Sequence, residues 1–180
     1  LAIINYLVGL ALKDELEKYG IELFIPAMPR PERPEIKSWV SFLAKQVGIC
    51  DKETYFVGHS VGCQMILRYL ATLPPNTRVG GGVCVAGFFA LKPLEGPEEE
   101  EIARPWITTP LDFGKVKHMG PVVTLLSDND PFVPLENKKI FEEKLGAHVV
   151  VEHQQGHFNE ATAPAVLREL KTLLKLKDMR

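Results

Sequence analysis

Short runs in which almost every residue is apolar recur along this chain, and between them apolar residues return every three or four positions. The first run, Leu1-Ala2-Ile3-Ile4, predicts a buried strand, and Leu7, Leu10, Ala11, Leu12 and Leu16 then fall at helical spacing up to Tyr19, with Gly20 as the stop. Only Asn5-Tyr6 separates the two, a tighter connection than a strand-turn-helix usually has. Ile21-Glu22-Leu23-Phe24-Ile25 alternates and ends at Pro26, which predicts a second strand. Pro26, Pro29, Pro31 and Pro34 make a stiff extended connector. Glu35 to Val47 carries Ile36, Trp39, Val40, Leu43 and Val47 on one face, a helix closed by Gly48.

Tyr55-Phe56-Val57 is the next strand. It meets Gly58-His59-Ser60-Val61-Gly62, after which Val61, Met65, Ile66 or Leu67, Tyr69 and Leu70 make a helix apolar nearly all round, ended by Pro74-Pro75. Val79 to Ala86 is rich in glycine and β-branched residues and suits a central parallel strand closely approached by helices. From Phe88 to Pro110 the texture changes. Pro93, Pro97 and Pro105 flank the acidic run Glu98 to Glu101, which predicts an insertion or flap with a solvated acidic face, under which Phe88, Phe89 and Trp106 line a substrate pocket. Pro121 to Leu126 is a strand, Glu136 to Leu145 a helix stopped by Gly146, Ala147 to Val151 the last strand and Pro164 to Leu176 a terminal helix. Strand and helix alternate throughout, so the fold class is α/β: a three-layer α/β/α sandwich, mostly parallel, in one domain over residues 1–180.

Composition narrows the function. The chain has 180 residues, 46% hydrophobic and 24% charged, with a formal net charge of −2 and no cluster of Lys and Arg interleaved with aromatics, so nucleic acid is not an expected partner. No run approaches the apolar length of a membrane span, and Leu1 to Leu12 shows neither a basic leader nor a small-residue cleavage site. The three cysteines, Cys50, Cys63 and Cys84, are scattered and odd in number, which argues against a disulfide framework and for a cytoplasmic setting. Cys63, just past the glycine turn, reads as a small core residue rather than a nucleophile.

The chemistry sits at strand ends. Gly58 and Gly62 flank Ser60 at two residues either side, the spacing that lets a sharp strand-to-helix corner present a hydroxyl, with the Val61 N–H aimed into the same space as an oxyanion donor. The strand at Pro121 to Leu126 runs into Ser127-Asp128-Asn129-Asp130-Pro131-Phe132-Val133-Pro134, and the last strand into Gln154-Gln155-Gly156-His157-Phe158. Open parallel sheets place their chemistry at these carboxyl ends. Serine, acid, histidine in the order Ser60, Asp130, His157 makes a nucleophile, an orienting carboxylate and a general base. Asp128 competes with Asp130, which is favoured because it directly precedes the Pro-Phe-Val-Pro turn. His59, His118, His148 and His153 compete with His157, favoured for its loop after the last strand. The spacing of His148, His153 and His157 matches no metal-ligand pattern, so neither metal nor cofactor is expected.

These three motifs, with the proline-rich connector and the Trp39 helix, resemble the small serine hydrolases typified by retinoblastoma-binding protein nine and their bacterial relatives. The resemblance implies a compact α/β-hydrolase fold without a large lid domain, and a Ser60-Asp130-His157 triad acting on a small ester, thioester or amide. One departure stands out. Members of that family carry a His-Gly pair after the first strand, whose loop supplies the second oxyanion donor; here Ile4 is followed by Asn5-Tyr6 and the stretch is several residues short. Either a loop is absent from this sequence, or half the oxyanion hole is lost and the chain is a hydrolase-fold protein that binds a partner and turns over little or nothing.

Overall fold

The computed structural model describes residues 2–4, 6–117, 120–159 and 164–176, with residues 2–11 described by backbone alone. In chain order the elements are β1 (Ala2–Ile4), α1 (Tyr6–Glu17), α2 (Ile36–Val47), β2 (Tyr55–His59), α3 (Val61–Thr72), β3 (Gly81–Val85), α4 (Pro97–Thr108), α5 (Phe113–Lys117), β4 (Val122–Ser127), α6 (Asn137–Ile140) running into a π-helical turn (Phe141–Leu145), β5 (His148–Glu152) and α7 (Pro164–Leu173).

The five strands form one parallel sheet in the order β1-β2-β3-β4-β5. Alternate residues of β2, β3 and β4 feed two separate cores. Phe56, Cys84, Val122 and Leu126 pack with Trp39 and Leu43 of α2, with Met65, Leu67 and Leu70 of α3, and with Phe141 and Leu145. Val57, Val83, Val85, Val123 and Leu125 pack instead with Leu12 and Leu16 of α1 and with Ala165, Val166 and Leu170 of α7. Helices therefore cover both faces, which is why β4 is buried at all of its positions and is mostly apolar, with Thr124 and Ser127 as its polar residues.

Several expectations are modified. The alternating stretch Ile21 to Ile25 forms no ladder; only Phe24 makes a bridge, while Ile21, Leu23 and Ile25 pack against the second core. Its alternation is real but is spent on packing Ile21, Leu23 and Ile25 inward while Glu22 and Phe24 stay exposed. The stretch 88–110 is not a flap. It contains α4, with Pro97 at its start and Glu98, Glu99 and Glu100 in the first turn, where carboxylates meet the positive end of the helix dipole. Trp106 is 1% exposed, edge-on to Trp39 at 6.0 Å, with its indole N–H donated to the Pro34 carbonyl at 3.0 Å. The acidic face is solvated as expected, with Glu98 and Glu101 beside Arg33.

As expected of a strand under helices, Gly81 of β3 is approached closely: an added methyl group would fall 3.1 Å from the Leu173 side chain of α7 and 2.9 Å from the Pro121 carbonyl oxygen. A methyl group at Gly80 would fall 2.3 Å from the Tyr55 ring, whereas at Gly82 it would come no closer than 3.6 Å to any atom beyond its chain neighbours. Gly82 borders a void of about 10 Å³. Gly82→Ala is therefore expected to raise stability by about 0.5–1 kcal/mol through lower unfolded-chain entropy. Urea unfolding measures this; a lower midpoint would show that the space is not usable. Among the described residues no helix is long and apolar enough to cross a membrane.

Candidate active site

Ser60 sits between the last residue of β2 and the first of α3, at φ 52° and ψ −121°, a conformation that non-glycine residues adopt only when their surroundings hold them there. Those surroundings are visible. A methyl group at Gly58 would lie 2.8 to 2.9 Å from backbone atoms of Gly62 and Cys63, so the corner closes only because position 58 has no side chain. The Ser60 N–H donates to the Val85 carbonyl at 2.9 Å, and the Ser60 carbonyl accepts from Cys63 N–H at 3.0 Å. The Val61 N–H opens α3 and has no acceptor within its own helix, which suits it to an oxyanion.

Asp130 and His157 meet across two loops. His157 Nδ1 lies 2.9 Å from Asp130 Oδ2, with side-chain exposures of 11% and 1%. Asp130 Oδ1 accepts from the N–H groups of Phe132 at 2.8 Å and Val133 at 3.0 Å. Burial pushes the Asp130 carboxyl up, but hydrogen bonds from His157, Val133 and Phe132 together outweigh it and hold the group below its ordinary value. An ionised Asp130 keeps the proton on His157 Nδ1 and leaves Nε2 free to accept one. The His157 ring is bracketed edge-on by Phe132 at 5.2 Å and His59 at 4.8 Å, and His59 is the residue next to Ser60.

The competing residues lie elsewhere. Asp128 pairs with His153 at 2.5 Å on the surface, and its other oxygen accepts from Gln154 N–H. Hydrogen bonds from Gln154 and His153 lower the Asp128 carboxyl. His148 is an exposed residue of the edge strand β5, and His118 lies outside the described residues. Cys63 is fully buried, its thiol raised well above the ordinary value by burial and donated to the Val85 carbonyl, as a core residue should be. The expected second oxyanion donor depends on the connection after Ile4, and Asn5 within it lies outside the described residues.

Sequence reasoning missed the side chains that join the acid loop to the histidine loop. Asn129 Oδ1 accepts from Ser127 Oγ at 2.8 Å and from Gly156 N–H at 2.7 Å, and Ser127 Oγ accepts from Gln155 N–H at 2.9 Å. Lys92 Nζ donates to the Asp130 carbonyl at 2.6 Å. The only available signal was polarity directly after a strand, which a simple turn would share.

The pocket expectation needs correction. Trp106 and Phe88 are buried in the core, and Phe89 packs on Phe113 and Phe141 at 5.2 and 4.9 Å. The aromatic surface of Phe88 and Trp106 is withdrawn from solvent, while Phe89 stays half-buried. The open space nearby is a groove of about 380 Å³ between Leu91 to Leu94 and the Ala103, Arg104 and Ile107 side of α4, sharing Lys92 with the acid loop.

The family model described as serine hydrolase matches residues 25–175. The chain belongs to the serine hydrolase family. It is 29% identical over 153 residues to the Bacillus subtilis protein YdeN, covering 83% of this chain and 76% of that one. To the serine hydrolase RBBP9 of Rattus norvegicus it is 24% identical over 156 residues, covering 86% and 79%. The crystal structure of the ydeN gene product superimposes with a TM-score of 0.84 over 97% of both chains at 24% identity. The fold is thus the compact α/β-hydrolase fold, and a hydrolytic function follows from the family.

In this serine hydrolase the histidine that precedes Ser60 is withdrawn from water. His59 is buried, and its imidazole is pushed down to about 4 by that burial, against an opposing hydrogen bond to the His157 carbonyl. Near pH 6.5 the unfolded chain takes up a proton that the folded chain refuses, so this contribution to stability is full above pH 6.5 and lost as pH falls toward 4. The loss is expected to reach about 2 kcal/mol by pH 5. Urea midpoints at pH 7.5 and 5 measure it, and His59→Gln, which cannot titrate, should flatten the difference. An equally steep profile in that variant would assign the acid sensitivity to another group.

Proposed function

We propose that this chain hydrolyses a small ester, thioester or amide through an acyl-enzyme on Ser60. Ser60 Oγ attacks the carbonyl carbon as His157 Nε2 takes its proton, and the resulting oxyanion is held by the Val61 N–H. Collapse breaks the bond to the leaving group, which receives the proton from His157. Water then attacks the acyl-enzyme, giving its proton to His157, and the acid product departs as Ser60 regains its hydrogen. Asp130 keeps imidazole in the required tautomer and balances its positive charge when it forms.

The observation that carries this reading is the buried 2.9 Å pair of His157 and Asp130, set against the turn that holds Ser60. The free cysteines Cys50, Cys63 and Cys84 support a reducing, cytoplasmic setting. A fluorophosphonate probe is expected to form one covalent adduct, mapped to Ser60 by peptide mass and absent in Ser60→Ala. No adduct, under conditions where a control hydrolase labels completely, would leave the chain as a partner-binding member of its fold.

A further inference from the structure

The reaction as drawn gives His59 no task, yet the residue is buried with its ring nitrogen aimed at the base. His59 Nε2 lies 2.7 Å from the His157 carbonyl oxygen. A carbonyl only accepts, so Nε2 must carry the hydrogen, and the tautomer of His59 is set by this contact. Its ring also stands edge-on to the His157 ring at 4.8 Å and 67°.

The histidine loop shows why an anchor is needed at this point. Gly156 and Phe158, on either side of His157, both have positive φ, 53° and 55°. Phe158 is no glycine, so its backbone keeps that shape only if contacts on both sides hold it. Upstream, the loop is tied through Gln155 N–H to Ser127 and Gly156 N–H to Asn129. Downstream, the His157 carbonyl is held by His59, the residue covalently joined to the nucleophile. One hydrogen bond thus links the backbone of the base to the side chain of the residue that precedes the nucleophile.

We propose that His59 is a positioning residue for this hydrolase: its Nε2–H fixes the His157 backbone so that the imidazole stays in register with both Asp130 and Ser60. The proposal rests on the triad reading above. Protonation would add a hydrogen at Nδ1 and leave the one at Nε2, so the donor to the His157 carbonyl is present in either charge state of His59.

The test compares His59→Phe, which keeps a flat ring and loses the donor, with His59→Gln, whose amide nitrogen reaches the same place. His59→Phe is expected to lose about 10- to 100-fold in kcat with KM changed less than about 3-fold, since small displacements of a reacting group cost on this scale. His59→Gln should stay within about 3-fold of the unaltered protein. The downfield proton resonance of the His157–Asp130 hydrogen bond should persist in the Gln variant and broaden in the Phe variant. Equal losses in the two variants, or full kcat in His59→Phe, would overturn the proposal. In the unaltered protein, nitrogen-15 NMR should show His59 as the Nε2–H tautomer, a result independent of how either variant folds; the Nδ1–H tautomer would overturn the proposal as well. Absence of a fluorophosphonate adduct in the unaltered protein would count against the triad reading itself, so the two failures are distinguishable.

Discussion

Asp130→Asn is expected to lower kcat about 10⁴-fold, with little change in KM or in unfolding midpoint. The size follows from how Asp130 is held. Its Oδ1 already accepts from Phe132 and Val133 N–H, so the asparagine oxygen would take that position and the amide NH₂ would face His157. A donor there forces His157 Nδ1 to become an acceptor and moves the ring proton to Nε2. An imidazole in that tautomer has no lone pair to offer Ser60. The same two backbone contacts survive in the variant, which is why stability should hold while the chemistry fails. Single-turnover kinetics with a chromogenic ester, alongside thermal unfolding, separate the two. A loss below about tenfold would remove Asp130 from the triad.

Arg68→Met is expected to cost about 3 kcal/mol of stability, roughly 10 °C in midpoint for a chain of this size. Arg68 is 7% exposed, and among the described residues no carboxylate lies within ion-pair distance. Its guanidinium instead donates to the carbonyls of Trp106 at 3.0 Å, Thr109 at 2.7 Å and Pro110 at 3.2 Å. These cluster at the C-terminal end of α4, where a helix leaves carbonyls unpaired and its dipole is negative. Burial lowers the Arg68 guanidinium from its ordinary value without neutralising it. Methionine fills the volume and abandons the three carbonyls, so α4 should loosen while α3 stays packed. Arg68→Lys should fall between, because an ammonium cannot fork to all three. A urea midpoint unchanged in Arg68→Met would mean that water reaches those carbonyls freely.

How much of this was legible depended on how local the signal was. The turn at Ser60 could be read because its constraint is steric and lies within five consecutive residues; the Gly58 contacts with Gly62 and Cys63 bear it out. The helix Ile36–Val47 could be read from its period and its glycine stop. Helix α4 is less legible although Pro97 followed by four glutamates is a helix-start pattern, because the prolines that flank the acidic run at 93, 97 and 105 give the stretch the texture of an insertion. Trp106 was misplaced since an aromatic residue looks the same in sequence whether it lines a pocket or plugs a core. Between Asp128 and Asp130 the neighbouring turn favoured the second. Yet the difference that matters is burial: one carboxylate stands in water beside His153 and the other is enclosed beside His157.

The strand and helix alternation, the parallel three-layer class and the corner at Ser60 were readable from the residues alone, because hydrophobic period, glycine spacing and proline stops act over a few residues and need no partner. It took the folded chain to show which histidine meets which aspartate, that Asn129 and Ser127 tie the two loops together, and that His59 donates to the His157 carbonyl. Those outcomes depend on groups far apart in the chain and on how completely each is withdrawn from water, and neither distance nor desolvation is written in a local pattern.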